Sequence, residues 1–249
     1  IQPPIITIAG QSATISDMGG GKWVATYAMQ NGDSDGVIPF EVEGILDLSG
    51  NPNSGTAATT DGSLVIFDNT KPELDIVRIA SNNQDSTWAK VGDMISINFI
   101  ANELLISQSV NLNGQAMTIS DLGSEKYLAQ YEMTDLDTEG QLSFAILITD
   151  SVGLESDPII TTSNSSQVIF DKTLPILNQV NIQSNNQNNS SIAITGDNVT
   201  LTFIPDEPLL TDSIVVTIAN EEVTINEDGS GYVATLTLSG NEPGGILPF

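Results

Sequence analysis

Carboxylates and hydroxyls are almost the only groups in this chain that could do chemistry. The sequence holds 32 Asp and Glu against six Lys and Arg, with no His and no Cys, for a formal net charge of −26. Lack of His removes the usual general base and the commonest transition-metal ligand. Lack of Cys removes thiolate nucleophiles, thiolate metal sites and disulfides. Ser-His-Asp and Cys-His arrangements are thus impossible. Two acids, or a Ser and a Lys, could still cleave a bond. The acids, however, recur at a fixed interval, as structural sites do more often than duplicated active sites, and nucleophile, phosphate-loop and dinucleotide signatures are absent. The expectation is a protein that is not an enzyme. Acids, amides and backbone carbonyls can instead collect a hard divalent cation, since Ca2+ takes about six to eight oxygen ligands. The candidate metal ligands are Asp68, Glu103 and Asp150, then Asp171 and Glu207, and Asp47.

Why those six belong together follows from the elements that must carry them. Val65-Ile66-Phe67-Asp68 returns as Val168-Ile169-Phe170-Asp171, and 168 − 65 = 103 residues. Each copy is followed by one frame, Asn69-Thr70-Lys71-Pro72 and then Lys172-Thr173-Leu174-Pro175. A period this long marks whole small domains in tandem, not the short units of a solenoid. The expected segments are 1–68, the rear of a repeat; 69–171, a complete repeat; and 172–249, the front of a third. Gly10-Gln11 matches Gly114-Gln115, and Lys22-Trp23 matches Lys126-Tyr127, so the first piece lacks its opening strands. Ser184-Asn185-Asn186 repeats Ser81-Asn82-Asn83, and Thr195-Gly196-Asp197 repeats Val91-Gly92-Asp93. The third piece stops at Gly245-Ile246-Leu247, the counterpart of Gly140-Gln141-Leu142. The expectation is a window onto a longer protein. A purified natural polypeptide should therefore be much heavier than the 26.3 kDa of this chain on a denaturing gel, and a band at that mass would refute the window.

The complete repeat reads as seven short strands. Ile95-Ser96-Ile97-Asn98-Phe99 alternates apolar and polar side chains, the mark of a half-buried strand. Asn113-Gly114 predicts a tight type I′ hairpin. Seven such strands in about 100 residues predict an all-β fold, a string of Ig-like β-sandwich domains of about 103 residues each. In such a sandwich the second–third and sixth–seventh strand loops lie where the preceding linker enters. That places the Ala101-Asn102-Glu103 loop and the Asp150-Ser151-Val152-Gly153 loop beside the linker residue Asp68. Asp171 and Glu207 hold the same positions one repeat on, and Asp47 holds the Asp150 position of the first piece. The alternative is that all six are solvated loop acids, with Asp68 turning the chain ahead of Thr70 and Pro72.

The frame Val-Ile-Phe-Asp-x-Thr-x-Pro, then Ser-Asn-Asn, Val-Gly-Asp, Asn-Gly-Gln and Lys-Tyr-x-Ala-x-Tyr, resembles the Ig-like tandem repeats of giant bacterial cell-surface adhesins and surface filament proteins. The resemblance runs through essentially the whole chain. It implies an extracellular, cell-surface localisation, a stalk or filament that is often calcium-rigidified, and partners that include copies of the same chain in a homo-oligomeric filament. Another part of the parent protein would then meet the cell-surface or extracellular ligand. Two other classes stay open: a carbohydrate- or surface-binding module, and accessory domains of a large secreted enzyme.

The charge argues against a nucleic-acid partner, which needs clustered Lys and Arg. No apolar run is long enough for a membrane-spanning helix. Asn31–Gly36 and Asp135–Gly140 copy the opening of an EF-hand loop, but the twelfth position is Val42 or Ile146 where a bidentate Glu is required. They read as acidic turns, replaced by Asn241-Glu242-Pro243-Gly244-Gly245 in the third piece. Tyr27 and Tyr131 read as packing residues. Trp88, if exposed, is a candidate contact. The long Asp150–Ser166 connection is expected to be a mobile loop that lateral contacts in a filament would order.

Overall fold

A computed structural model describes residues 3–229, 231–242 and 244–248. Ile1, Gln2, Ser230, Pro243 and Phe249 lie outside the described residues, and with them part of the expected third acidic turn and the last residue of the third piece. The chain divides into two compact units, Ile1–Lys172 and Thr173–Phe249. The expected boundary after residue 171 lies beside that division, and the one after residue 68 falls inside the first unit. Among the described residues the regular structure is β-strand apart from a single 3-10 turn at Thr211–Ser213.

The complete repeat is a β-sandwich. One sheet orders Thr118–Gly123, Lys126–Glu132, Met94–Ala101 and Leu74–Ser81; the other orders Gln115–Ala116, Leu105–Leu112 and Phe144–Asp150. Their inner faces supply the core: Val77, Ile79, Ile95, Ile97 and Phe99 from one sheet, and Val110, Leu112, Phe144, Ile146 and Ile148 from the other. Phe99 stacks on Tyr127 at 5.2 Å between ring centroids. Strict alternation produces this, because successive side chains of a strand point to opposite faces. The hairpin at Asn113-Gly114 takes φ of 46° and 83°, as a type I′ turn requires.

A third element closes the sandwich. Ile169–Phe170 runs parallel to Trp88–Ala89 on one side and antiparallel to Gly140–Gln141 on the other. Leu142 N–H donates to Val168 O at 2.9 Å, Ile169 N–H to Thr87 O at 2.8 Å, and Asp171 N–H to Ala89 O at 2.9 Å. Val168 and Phe170 are 0% and 1% exposed and seal the core. Trp88 therefore belongs to a short strand rather than an open loop. Its side chain is 44% exposed.

The polar signatures of the repeat build turns. Asn83 Nδ2 and the Lys90 N–H both donate to Asp93 Oδ2, at 2.7 and 2.8 Å. Asn186 Nδ2 and the Ile194 N–H do the same to Asp197 Oδ2, at 2.7 and 3.0 Å. These donors hold the Asp197 carboxyl below its ordinary range, the Asn186 bond contributing most. The Asp150–Ser166 connection, expected to be a free loop, is bonded along the sandwich. Glu155 bridges to Thr149 and Ile159 to Ile146, while the Ser163 and Ser166 hydroxyls accept from the N–H groups of Val77 and Ile79 at 3.2 and 3.0 Å. Hydroxyls thereby take the place of a neighbouring strand along the sheet edge.

The first piece has three small sheets: Gln11–Ser12, Ile5–Ile8 and Phe40–Glu43; Thr14–Asp17 with Trp23–Thr26; and Gly36–Val37 with Ile66–Phe67. Among its described residues only Pro4 is buried. The second unit pairs Leu177–Ser184, Asn198–Pro205, Gly231–Thr237 and Ile225–Asp228 around Val199, Leu201, Phe203, Ile218 and Ala234. Its Phe203 stacks on Tyr232 at 5.3 Å, as Phe99 does on Tyr127. Truncating Phe170 to Ala should cost about 3–5 kcal/mol as a deleted buried aromatic. The same change at the half-buried twin Phe67 should cost well under half of that. Urea unfolding followed by tryptophan fluorescence measures both.

Candidate metal centre

Asp150 ends the strand Phe144–Asp150, where burial alternates without a break. Phe144, Ile146, Ile148 and Asp150 all face inward, and Asp150 is 0% exposed. Its Oδ1 accepts the N–H groups of Val152, Gly153 and Leu154 at 2.9, 2.8 and 2.9 Å. Gly153 makes this possible at φ 94°, curling the chain so that three successive amides meet one oxygen. Oδ2 is buried and has no hydrogen-bond partner. A buried, unpaired carboxylate oxygen is costly, by about 1–3 kcal/mol or more.

Glu103 sits in the loop after Met94–Ala101, and its neighbour Asn102 fixes that loop. Asn102 Oδ1 accepts the Glu73 N–H at 3.0 Å, and the Asn102 N–H donates to Glu73 O at 3.1 Å. Asp68 follows the strand Ile66–Phe67, and its Oδ1 accepts the Thr70 N–H at 3.1 Å. Asp35 holds the same linker from the first piece: its Oδ1 accepts the Asn69 N–H at 2.8 Å, and its Oδ2 accepts the Thr70 hydroxyl. Pro72, fully buried, fixes the backbone next to these clamps. The linker is pinned from both sides.

These supports bring Asp68, Glu103 and Asp150 together. One carboxylate oxygen from each lies within 4.8 Å of the other two. Oxygens bound to one Ca2+ at about 2.3–2.6 Å can be up to about 4.6–5.2 Å apart, so the three acids lie within the reach of one such ion. Burial raises the Glu103 carboxyl above its ordinary value, and the negative charges of Asp68 and Asp150 raise it further.

Of the other expected ligands, Asp47 is placed differently. Asp47 is exposed, and both of its oxygens serve its own loop: Oδ1 accepts from the Ser49 and Asn51 N–H groups at 2.9 and 2.8 Å, and Oδ2 from Asn51 Nδ2 at 2.8 Å. Those bonds, led by the Asn51 side chain, hold its carboxyl below the ordinary range. Asp171 belongs to the first unit and Glu207 to the second, and both make polar interactions. Asp206, beside Glu207, copies Asn102: its Oδ1 accepts the Ile176 N–H at 2.9 Å, and its own N–H donates to Ile176 O at 3.0 Å.

The EF-hand-like stretches are closed turns. Asp33 accepts from the Tyr27 hydroxyl at 3.1 Å and the Gln30 N–H at 2.7 Å. Asp137 accepts from the Tyr131 hydroxyl at 3.1 Å and the Thr134 N–H at 2.7 Å. Glu139 accepts the Lys172 N–H at 2.8 Å, as Asp35 does that of Asn69. Tyr27 and Tyr131, whose alternation with Trp23 and Tyr127 points to packing ahead of a sugar-binding platform, also serve these turns. The shared spacing, Tyr to Asp six residues on in both copies, was the signal for the bond.

No family model and no curated protein matches the chain. Among solved structures it is similar to SGBP-B of the mixed-linkage glucan utilization locus of Bacteroides ovatus, in complex with a mixed-linkage heptasaccharide, at 15% identity and a TM-score of 0.21 over 95% of this chain and 51% of that one. The chain thus spans about half the length of that protein. It is also similar to BcpA, the major pilin subunit of Bacillus cereus, at 10% identity and a TM-score of 0.18 over 96% and 95% of the two chains. At such TM-scores neither likeness carries an inference about this chain.

The raised Glu103 carboxyl sets a direction for stability. Folded chain holds that proton more tightly than unfolded chain. The metal-free fold is therefore relatively favoured below the ordinary Glu value, and the advantage is lost as pH rises through the raised one. Glu103→Gln should stabilise the metal-free protein at neutral pH and flatten this part of its pH profile, read by thermal melting in a chelator across acidic to neutral pH.

Proposed function

We propose that the chain is a section of an extracellular, non-catalytic rod of tandem β-sandwich domains, acting as the stalk or filament of a bacterial surface adhesin or appendage. In this reading a Ca2+ ion held by Asp68, Glu103 and Asp150 stiffens the join between the first and second repeats. The observation that carries it is that Asp150, whose Oδ2 is buried and unpartnered, belongs to a cluster of three acids at the point where one repeat hands over to the next. A cation would supply the missing partner and cancel the mutual repulsion that adds to burial in raising the Glu103 carboxyl. It would also tie the linker residue Asp68 to two loops of the following sandwich, which transmits load and limits bending. Backbone carbonyls and water would complete the coordination, as in other oxygen-rich calcium sites.

The role is mechanical. Strand ladders bear tension, the pinned linker sets direction, and the large negative charge keeps a long assembly soluble. Among the described residues no helix is long and apolar enough to cross a membrane. Electron microscopy of the native protein should show thin rods, and compact particles would overturn the structural reading. Calcium titration followed by calorimetry should show one site whose saturation raises the melting temperature. At 100 times Kd the gain would be about 2.7 kcal/mol. Asp150→Asn and Asp68→Ala should each abolish the rise. Glu103→Gln, stabilising in chelator, should be relatively destabilising in calcium, and a melting temperature indifferent to calcium in the wild-type chain would refute the metal.

A further inference from the structure

The short sheet that closes the complete repeat turns one face to solvent. Register sets Trp88, Ile169 and Gln141 in a single row across its three strands. Their chain neighbours Ala89, Phe170 and Leu142 are buried in the core, so by alternation the row points outward. Trp88 is 44% exposed, and Gln141 is exposed as well. Gln141 also lines a pocket of about 450 Å³. The floor of that pocket is core, formed by Ile79, Leu142 and Phe144, and its walls include Gln167, Thr161 and Ser165. Among the described residues none that lines it is charged, although the chain carries 32 acids.

The scaffold of this face recurs in the other repeats, but its polar groups do not. Gly140-Gln141-Leu142 is Gly36-Val37-Ile38 in the first piece and Gly245-Ile246-Leu247 in the third. Gln167, ahead of Val168-Ile169, is Leu64 ahead of Val65-Ile66. Trp88, ahead of Ala89, is Ile192 ahead of Ala193. The turn that walls the pocket is common scaffold: the Thr162 hydroxyl donates to Ser166 O at 2.9 Å, as the Thr59 hydroxyl does to Ser63 O at 2.8 Å. Wherever this chain holds a counterpart of Trp88, Gln141 or Gln167, that counterpart is aliphatic. The fold does not require an indole or an amide at these places, and the complete repeat has all three on one face.

We propose that this face binds a neutral oligosaccharide, with Trp88 stacking on one sugar ring and Gln141 and Gln167 bonding the hydroxyls of the next at the mouth of the pocket. A pyranose ring has apolar C–H faces and a rim of hydroxyls. An indole covers the first, and an amide both donates to and accepts from the second. The row crosses two strand spacings, about 9.5 Å, which accommodates about two linked rings. The net charge of −26 repels anionic glycans, and the uncharged pocket offers nothing to a cationic ligand. A peptide added to a sheet needs a free strand edge. Here the row lies on a face, and its central strand is paired on both sides. The proposal goes beyond the rod reading and does not depend on calcium: it sets one binding repeat within the rod.

Calorimetric titration of the full chain with cellotetraose, xylotetraose, mannotetraose and maltotetraose tests it, with tryptophan fluorescence as a second readout. At least one of the four is expected to bind and to change the fluorescence. Trp88→Ile should weaken that binding by about tenfold or more, and the double variant Gln141→Val/Gln167→Leu by about fivefold or more. These variants carry the residues of the other repeats, and a melting temperature near that of wild type checks that they fold. Trp23→Phe, in the first piece, should leave the binding unchanged. Binding of none of the four sugars would overturn the proposal, as would binding that Trp88→Ile leaves intact. A short uncharged Gly-Ser-Thr peptide should not bind; binding of that peptide and of no sugar would make the face a peptide site and overturn the sugar. Each of these outcomes leaves the calcium titration and the rods seen by microscopy untouched.

Discussion

The insertion of one short strand between two others is the constraint on which the complete repeat rests. Val168–Phe170 is bonded to Thr87–Ala89 and to Gly140–Leu142, and its inward side chains are the last pieces of the core. With two alternate residues spent on the core, the fourth residue of the string must leave the sandwich at its end. Asp68 and Asp171 occupy that exit position, one at each copy. The position of that residue, though not its type, is a geometric consequence of how the strand is inserted.

The arriving acid meets a second one placed by the same rule. Alternation carries Phe144, Ile146 and Ile148 into the core and delivers Asp150 to the same inner face at the end of the strand. Three backbone amides stabilise one of its oxygens and leave the other unsatisfied. In the first piece Asp47, at the equivalent position, turns both oxygens onto its own loop. The contrast between Asp150 and Asp47 separates an acid that shapes a loop from one held in reserve.

Much of this was legible in the sequence because it is periodic. The 103-residue echo pointed to the division beside residue 171, two-residue alternation to the strands and the sandwich, and Asn113-Gly114 to a hairpin. The meeting of Asp68, Glu103 and Asp150 followed from which loops of a sandwich share an end. What stayed hidden was non-periodic. Nothing in Asp150 announced that it would be wholly buried, since the same residue type turns outward at position 47. The parallel pairing of Trp88–Ala89 needs a partner 81 residues away (169 − 88) and only two residues long. The Asp150–Ser166 segment reads as loop because its order comes from isolated backbone bridges and from hydroxyls bonded to backbone, which leave no apolar pattern.

Those hydroxyls have a wider consequence. Leu74–Ser81 is the edge strand of its sheet, and bare edges of similar neighbours on one polypeptide would meet at a high local concentration. Ser163 and Ser166 occupy the outward N–H groups of Val77 and Ile79 with side-chain oxygens. A side chain satisfies the edge without offering a new one, so the sheet ends there. In a chain of repeats, the same two serines act as a barrier to mispairing between adjacent domains during folding, a hazard that grows with the similarity of the copies.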